Sequence, residues 1–194
     1  MNEIEINDLC QELQIPTNYL ITRQLGEQVY RMLYKQLNKL PRGQAVKLIF
    51  PRDQLIDTSF ADEAILRLEQ EYIDEKLGDG TLILQGLTDD SIHNINAAIY
   101  LQHLKMAFLV TTPEGNWNTI GSLEQSLSET LKLIAENDRL TAPVLAQMLN
   151  LAINSASNRL KRLYDLRLVR REYEISENGL QYIYYFWLEQ RNLS

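Results

Sequence analysis

The chain has 194 residues, of which 45% are hydrophobic, enough to bury two modest cores, and it carries a net charge of -7. Its single cysteine, Cys10, excludes an internal disulfide, its first residues lack the basic and apolar regions of a secretory signal, and no apolar run approaches the ~20 residues that cross a bilayer; a cytoplasmic protein without a membrane span is expected. The charge is uneven, with 10 Lys or Arg against 17 Asp or Glu in residues 1–121, nine of each in residues 122–194, and six of those last nine cations between Arg159 and Arg171, so a protein that is acidic overall still offers a local basic patch of the kind that meets phosphates.

Ile4 and Ile6 alternate with Glu3 and Glu5, which predicts a short first strand. From about Arg23, Leu25, Val29, Met32, Leu33, Leu37 and Leu40 recur at helical spacing until Pro41 and Gly43. Ala45 to Phe50 is an apolar run stopped by Pro51, as a buried strand would be. After Asp57, Ala61, Ala64, Ile65, Leu68 and Tyr72 give a helix that ends by Gly78 and Gly80. Thr81 to Leu84 reads as strand, Asp90 to Lys105 as helix and Ala107 to Thr111 as strand. Strands alternating with helices imply a small α/β layer with crossover connections. Pro113 to Gly121 is rich in turn formers and marks the expected boundary, giving domains of residues 1–118 and 119–194 and an α+β chain overall.

Beyond the boundary helices dominate. Leu123, Leu127, Leu131 and Ile134 stripe a first helix, and Thr141 can cap a second one with Pro143 in its first turn and Val144, Leu145, Met148 and Leu149 along its apolar side. A turn over Asn150 to Asn154 leads to a third helix, Asn154 to Asp165, with Ala156, Leu160 and Leu163 facing inward. Ser155, Ser157, Asn158, Arg159, Lys161 and Arg162 are left outside. Small polar residues at a helix start let its backbone approach a groove, and the long cations behind them reach phosphates or guanine edges. Leu168 to Arg171 and Tyr173 to Ser176 read as a very tight hairpin around Glu172. Leu180, Ile183, Tyr184, Trp187 and Leu188 fit a helical stripe, so a terminal helix capped by Ser176 is expected.

The run LTAPVLAQMLNLAINSASNRLKRLYDLRLVRREYEISENG resembles winged helix-turn-helix regulators of the MarR, ArsR and PadR type. The resemblance implies duplex DNA as partner, a recognition helix at Asn154 to Asp165, a wing at Arg170 to Tyr173 with Arg170 and Arg171 on phosphates, and a terminal helix after ISENG. Arg167 stands where such proteins usually have glycine. The stretch AVKLIFPRDQLIDTSFADEAILRLEQ is similar to STAS-like domains, more closely to the bacterial STAS-like domain of unknown function DUF4325, with Thr58, Ser59, Phe60, Ala61, Asp62 and Glu63 at the "SSFxxE" position and TRQLGEQVYR as the lead-in helix. This implies a regulatory domain that receives a protein partner or other signal, with Thr58 or Ser59 either a phosphorylation site or simply a helix cap.

Catalytic chemistry finds no foothold in the sequence. His93 and His103 are ten apart, about 80° from each other around a helix, and so are not a metal pair. Cys10 has no evident basic neighbour, and P-loop, GxGxxG and GxSxG motifs are missing. Asp89 with Asp90, and Asp53 with Asp57, are acidic residues beside turns, where solvation is the usual fate. No metal or cofactor is expected. A homodimeric, cytoplasmic transcription regulator is the leading expectation, and a partner-switching or scaffold protein whose winged helix makes only protein contacts is the alternative.

Overall fold

The computed structural model describes residues 1–137, 139–176 and 179–188. Its internal contacts divide the chain into two compact units, Met1–Ser122 and Leu123–Ser194.

The first unit begins with β1 (Asn2–Glu5), α1 (Ile6–Glu12), β2 (Tyr19–Leu20), α2 (Arg23–Leu37), β3 (Ala45–Ile49) and β4 (Leu55–Ile56). A continuous helical stretch follows: α3 (Thr58–Phe60), a wider π-helical segment over Ala61–Leu66, and α4 (Arg67–Ile73). β5 (Thr81–Gln85), α5 (Asp89–Leu101), β6 (Ala107–Thr111) and β7 (Trp117–Gly121) complete it. The main sheet has the order β1-β3-β5-β6-β7, parallel except for the last pair. Each crossover adds a strand on the same side, so right-handed connections collect the helices on one face. The buried cluster has that pattern. Val46 and Leu48, Leu82 and Leu84, and Phe108 are alternate strand residues, and they pack with Leu33 of α2, Ile65 and Leu68 of the α3–α4 stretch, and Ile95 and Ile99 of α5.

The sequence anticipates these strands and helices to within a few residues. It does not anticipate α1, nor the two-residue parallel pairing of β2 with β4. The expected boundary at 118/119 falls inside β7, which pairs with β6 from Trp117↔Thr111 to Gly121↔Ala107 and so belongs to the first unit. The turn formers Pro113 to Asn116 make a hairpin, not a linker.

Gly26 accounts for the lead-in helix. A Cβ there would lie 2.9 Å from Glu63 Cβ and 3.3 Å from the Phe60 carbonyl oxygen, so α2 can meet the π-helical segment this closely only with glycine.

The second unit runs α6 (Gln125–Glu136), β8 (Leu140–Thr141), α7 (Ala142–Leu149), α8 (Ile153–Asp165), β9 (Val169–Ser176) and β10 (Gly179–Phe186). Both α6 and α7 pack on α8, and its sheet has the order β8-β10-β9. Thr141 precedes α7 as expected and Pro143 sits in the first turn, although the Thr141 side chain makes no capping bond. Asn150 ends α7 at φ 50, the left-handed conformation that asparagine tolerates, and this turns the chain tightly into α8.

Two expectations are overturned here. The segment expected as a terminal helix is strand β10, and the hairpin expected to turn at Glu172 runs straight through it. Gly179↔Ser176 to Phe186↔Val169 form an unbroken antiparallel ladder. Ser176 therefore ends a strand and caps no helix. The physical reason lies in Leu180 to Trp187: where the central strand is buried on both faces, at Ile183 and Tyr184, it needs no polar alternation, so a helical stripe can be counted in a sequence whose aromatic and β-branched residues favour the sheet. The hairpin is thus longer than anticipated, and Gly179–Phe186 form no terminal helix.

Candidate nucleic-acid interface

α8 buries Ala156, Leu160 and Leu163 on one side. Its start, Ile153, Asn154 and Ser155, is exposed, as are Ser157, Asn158, Lys161 and Arg162, while Arg159 is half-buried. Every residue that the sequence assigns to this helix's outer face is therefore on one helix and outside the core. The face is continuous with a groove of about 350 Å³ between Ala142 and Pro143 at the start of α7, Ser157 of α8, and Leu180, Tyr182 and Tyr184 of β10. The sequence does not reveal this wall as long as residues 180–188 are read as a helix.

The cations are held by local partners. Both guanidinium nitrogens of Arg162 donate to Glu124, one of them at 2.9 Å. Lys161 pairs with Asp165 at 2.6 Å, and Arg159 Nη1 lies 3.5 Å from the Ser126 carbonyl oxygen. Exposed pairs of this kind are weak, so a phosphate can replace the carboxylate at small cost. Arg170 pairs with Glu172 at 3.1 Å and lies 4.5 Å over the Tyr185 ring. Arg171 is sandwiched between Tyr164 at 3.9 Å and Tyr182 at 4.3 Å. Arg170 and Arg171 are consecutive strand residues and so stand on opposite faces of the hairpin. Burial pushes the Tyr184 hydroxyl pKa up, with a hydrogen bond to Arg171 opposing, so that hydroxyl stays protonated at neutral pH.

Arg167, which follows the end of α8, adopts φ 59 and is only 2% exposed. Its carbonyl oxygen accepts from Trp187 Nε1 at 2.9 Å, which ties the end of the hairpin to the end of α8.

In the first unit, neither Thr58 nor Ser59 caps the helix. Asp57 does so: its Oδ1 accepts from Phe60 N at 2.7 Å and its Oδ2 from Thr22 N at 3.3 Å, so one carboxylate serves the N-termini of α2 and α3. Thr58 and Ser59 are half-buried in the first turn. A phosphate on Thr58 would meet an anion already seated at the positive end of the dipole. His93 and His103 are exposed, and Cys10 is buried, its thiol pKa pushed up by burial against a lowering contact from Gln54. Among the described residues no cluster of His, Cys, Asp and Glu is arranged to hold a metal, and no helix is long and apolar enough to cross a membrane.

No protein-family model matches the chain, and no curated protein matches it significantly.

Proposed function

We propose that residues 123–194 form a winged helix that binds duplex DNA, with α8 in the major groove, and that residues 1–122 are a STAS-like regulatory domain governing that contact as part of a transcription regulator. The observation that carries this reading is the outer face of α8. Ser155, Ser157 and Asn158 are small and exposed at the helix start, Arg159, Lys161 and Arg162 follow them, and the opposite side is anchored by Ala156, Leu160 and Leu163. A helix held so firmly on one side and so free on the other can enter a groove about 12 Å wide without the rest of the unit intervening. The element order of the second unit, helix, strand, two helices and a hairpin, supports the winged-helix assignment. The parallel layer with its DTSF turn between two helix N-termini supports the STAS-like one.

The internal pairing of Arg162, Lys161 and Arg170 and the exposed apolar side chains of the hairpin favour a second reading, a scaffold whose winged helix makes only protein contacts. One substitution separates the two. Ser157→Glu sets a carboxylate in the middle of the groove-facing surface without touching the core. Duplex binding, followed by fluorescence anisotropy on fragments selected from a random pool, is expected to fall at least about tenfold. Equal binding by a folded Ser157→Glu protein would remove α8 from the interface.

A further inference from the structure

β9 is the outer strand of its sheet. β10 lies between it and β8, so among the described residues one whole edge of Val169–Ser176 makes no ladder. Such an edge of unpaired donors and acceptors is a template for another strand, and monomeric proteins usually blunt it with a proline, a bulge, a lysine or short length. β9 has none of these: it is 8 residues long, its register with β10 is unbroken, and VRREYEIS contains neither proline, glycine nor lysine. Its centre reaches solvent, with Tyr173 66% and Ile175 81% exposed. Across the hairpin, Leu180 and Tyr182 are 56% and 42% exposed on the same face, opposite Ile175 and Tyr173. β9 carries four charges: Arg170, Glu172 and Glu174 stand along the other face, and Arg171 shares the face of Tyr173 and Ile175.

We propose that β9 is a self-association edge: two copies of this chain pair their β9 strands antiparallel about a two-fold axis at Glu172, joining their sheets into one. The sequence of the strand selects this register. With the axis at Glu172, Arg170 faces Glu174 of the partner subunit and the reverse, Arg171 faces Tyr173 of the partner subunit, and Val169 faces Ile175 of the partner subunit. Opposite charges and an aromatic–cation contact thus meet on their respective faces. An axis at Tyr173 sets Glu172 against Glu174 of the partner subunit twice. An axis at Arg171 sets that residue against its own copy and pairs only Val169 to Tyr173. An axis lying in the plane of the sheet puts Glu172 beside Tyr173 of the partner subunit and mixes the charged face with the apolar one.

The chosen register has one like-charge contact, Glu172 with its own copy, at the axis. It also requires Arg170 to exchange its present partner Glu172, 3.1 Å away, for Glu174 of the partner subunit, a trade between exposed pairs of similar strength. The exposed patch of four apolar side chains is far short of the ~800 Å² per partner of a standard interface. The backbone ladder must therefore hold the dimer, which will be weak, with a dissociation constant of about 1–100 μM.

This inference uses only the geometry of β9 and does not rest on DNA binding. Sedimentation equilibrium of the full chain tests it. A monomer–dimer equilibrium in the stated range is expected, with Arg170→Glu and Glu174→Arg each weakening it at least about tenfold, because each creates two like-charge contacts. The double variant Arg170→Glu/Glu174→Arg restores the dimer to within about threefold by exchanging the two ends of the same pair, and Glu172→Gln tightens it by removing the repulsion at the axis. A chain that stays monomeric to about 300 μM overturns the proposal, as does a dimer indifferent to the single reversals or one that the double variant fails to restore.

Discussion

Arg167 holds a left-handed conformation, φ 59, that costs a residue with a Cβ about 1 kcal/mol relative to glycine. The position ends α8 and sends the chain into β9, a turn that suits glycine. Here the side chain is buried, with its guanidinium 5.1 Å over the Tyr164 ring. Truncation separates the two contributions. Arg167→Ala removes the packing and keeps the strain, whereas Arg167→Gly removes the packing and relieves the strain, so in urea denaturation Arg167→Gly is expected to be the more stable of the two by about 1 kcal/mol. Equal stability would mean that the backbone there is unstrained. Asp57 shows what residue-level reading misses: the sequence places Thr58 and Ser59 at a helix start, but the helix begins one residue earlier than a Thr58 cap requires, so Asp57 takes the capping position and also accepts from Thr22 N.

At the scale of elements, the hairpin is the instructive case. Glu172 is a poor turn former. The Asn178-Gly179 dipeptide, the strongest short-range hairpin signal, lies between Tyr173–Ser176 and the aromatic run that follows, with only residues 177 and 178 separating the paired Ser176 and Gly179. That signal competes with the helical count over Leu180 to Leu188, and periodicity alone cannot recognise a strand buried on both faces. The third helix is legible for the opposite reason. It has one buried side and one polar side, so its period is unambiguous, and its outer residues can be named from the sequence. Their electrostatic partners cannot, because Glu124 meets Arg162 only through the packing of α6 on α8. If α8 contacts DNA, that pair competes with phosphate. Glu124→Gln should then raise duplex affinity by about three- to fivefold at low salt, an advantage that shrinks as salt screens both interactions. An unchanged affinity in an anisotropy titration would place Arg162 away from the phosphates.

For the molecule as a whole, alternation of strand and helix over residues 1–111 makes the parallel layer readable, because crossover topology follows from element order with few choices. The division of the chain is less readable. A loop rich in proline, glycine and asparagine signals a change of direction, and whether it joins two strands or two compact units depends on pairing partners far away in sequence. The acidic total charge is equally uninformative, since an interface of the kind proposed depends on Arg159 to Arg171 and on how far their local carboxylates already neutralise them. The salt dependence of duplex binding measures that net effect. Titrated between about 50 and 200 mM salt, the full chain is predicted to bind duplex DNA with a log–log slope to which each neutralised phosphate adds about 0.9 in magnitude, and Arg159→Ala combined with Arg162→Ala should reduce that slope by nearly 2 while weakening binding at least about tenfold. A duplex affinity and slope that the double variant leaves unchanged would contradict the account.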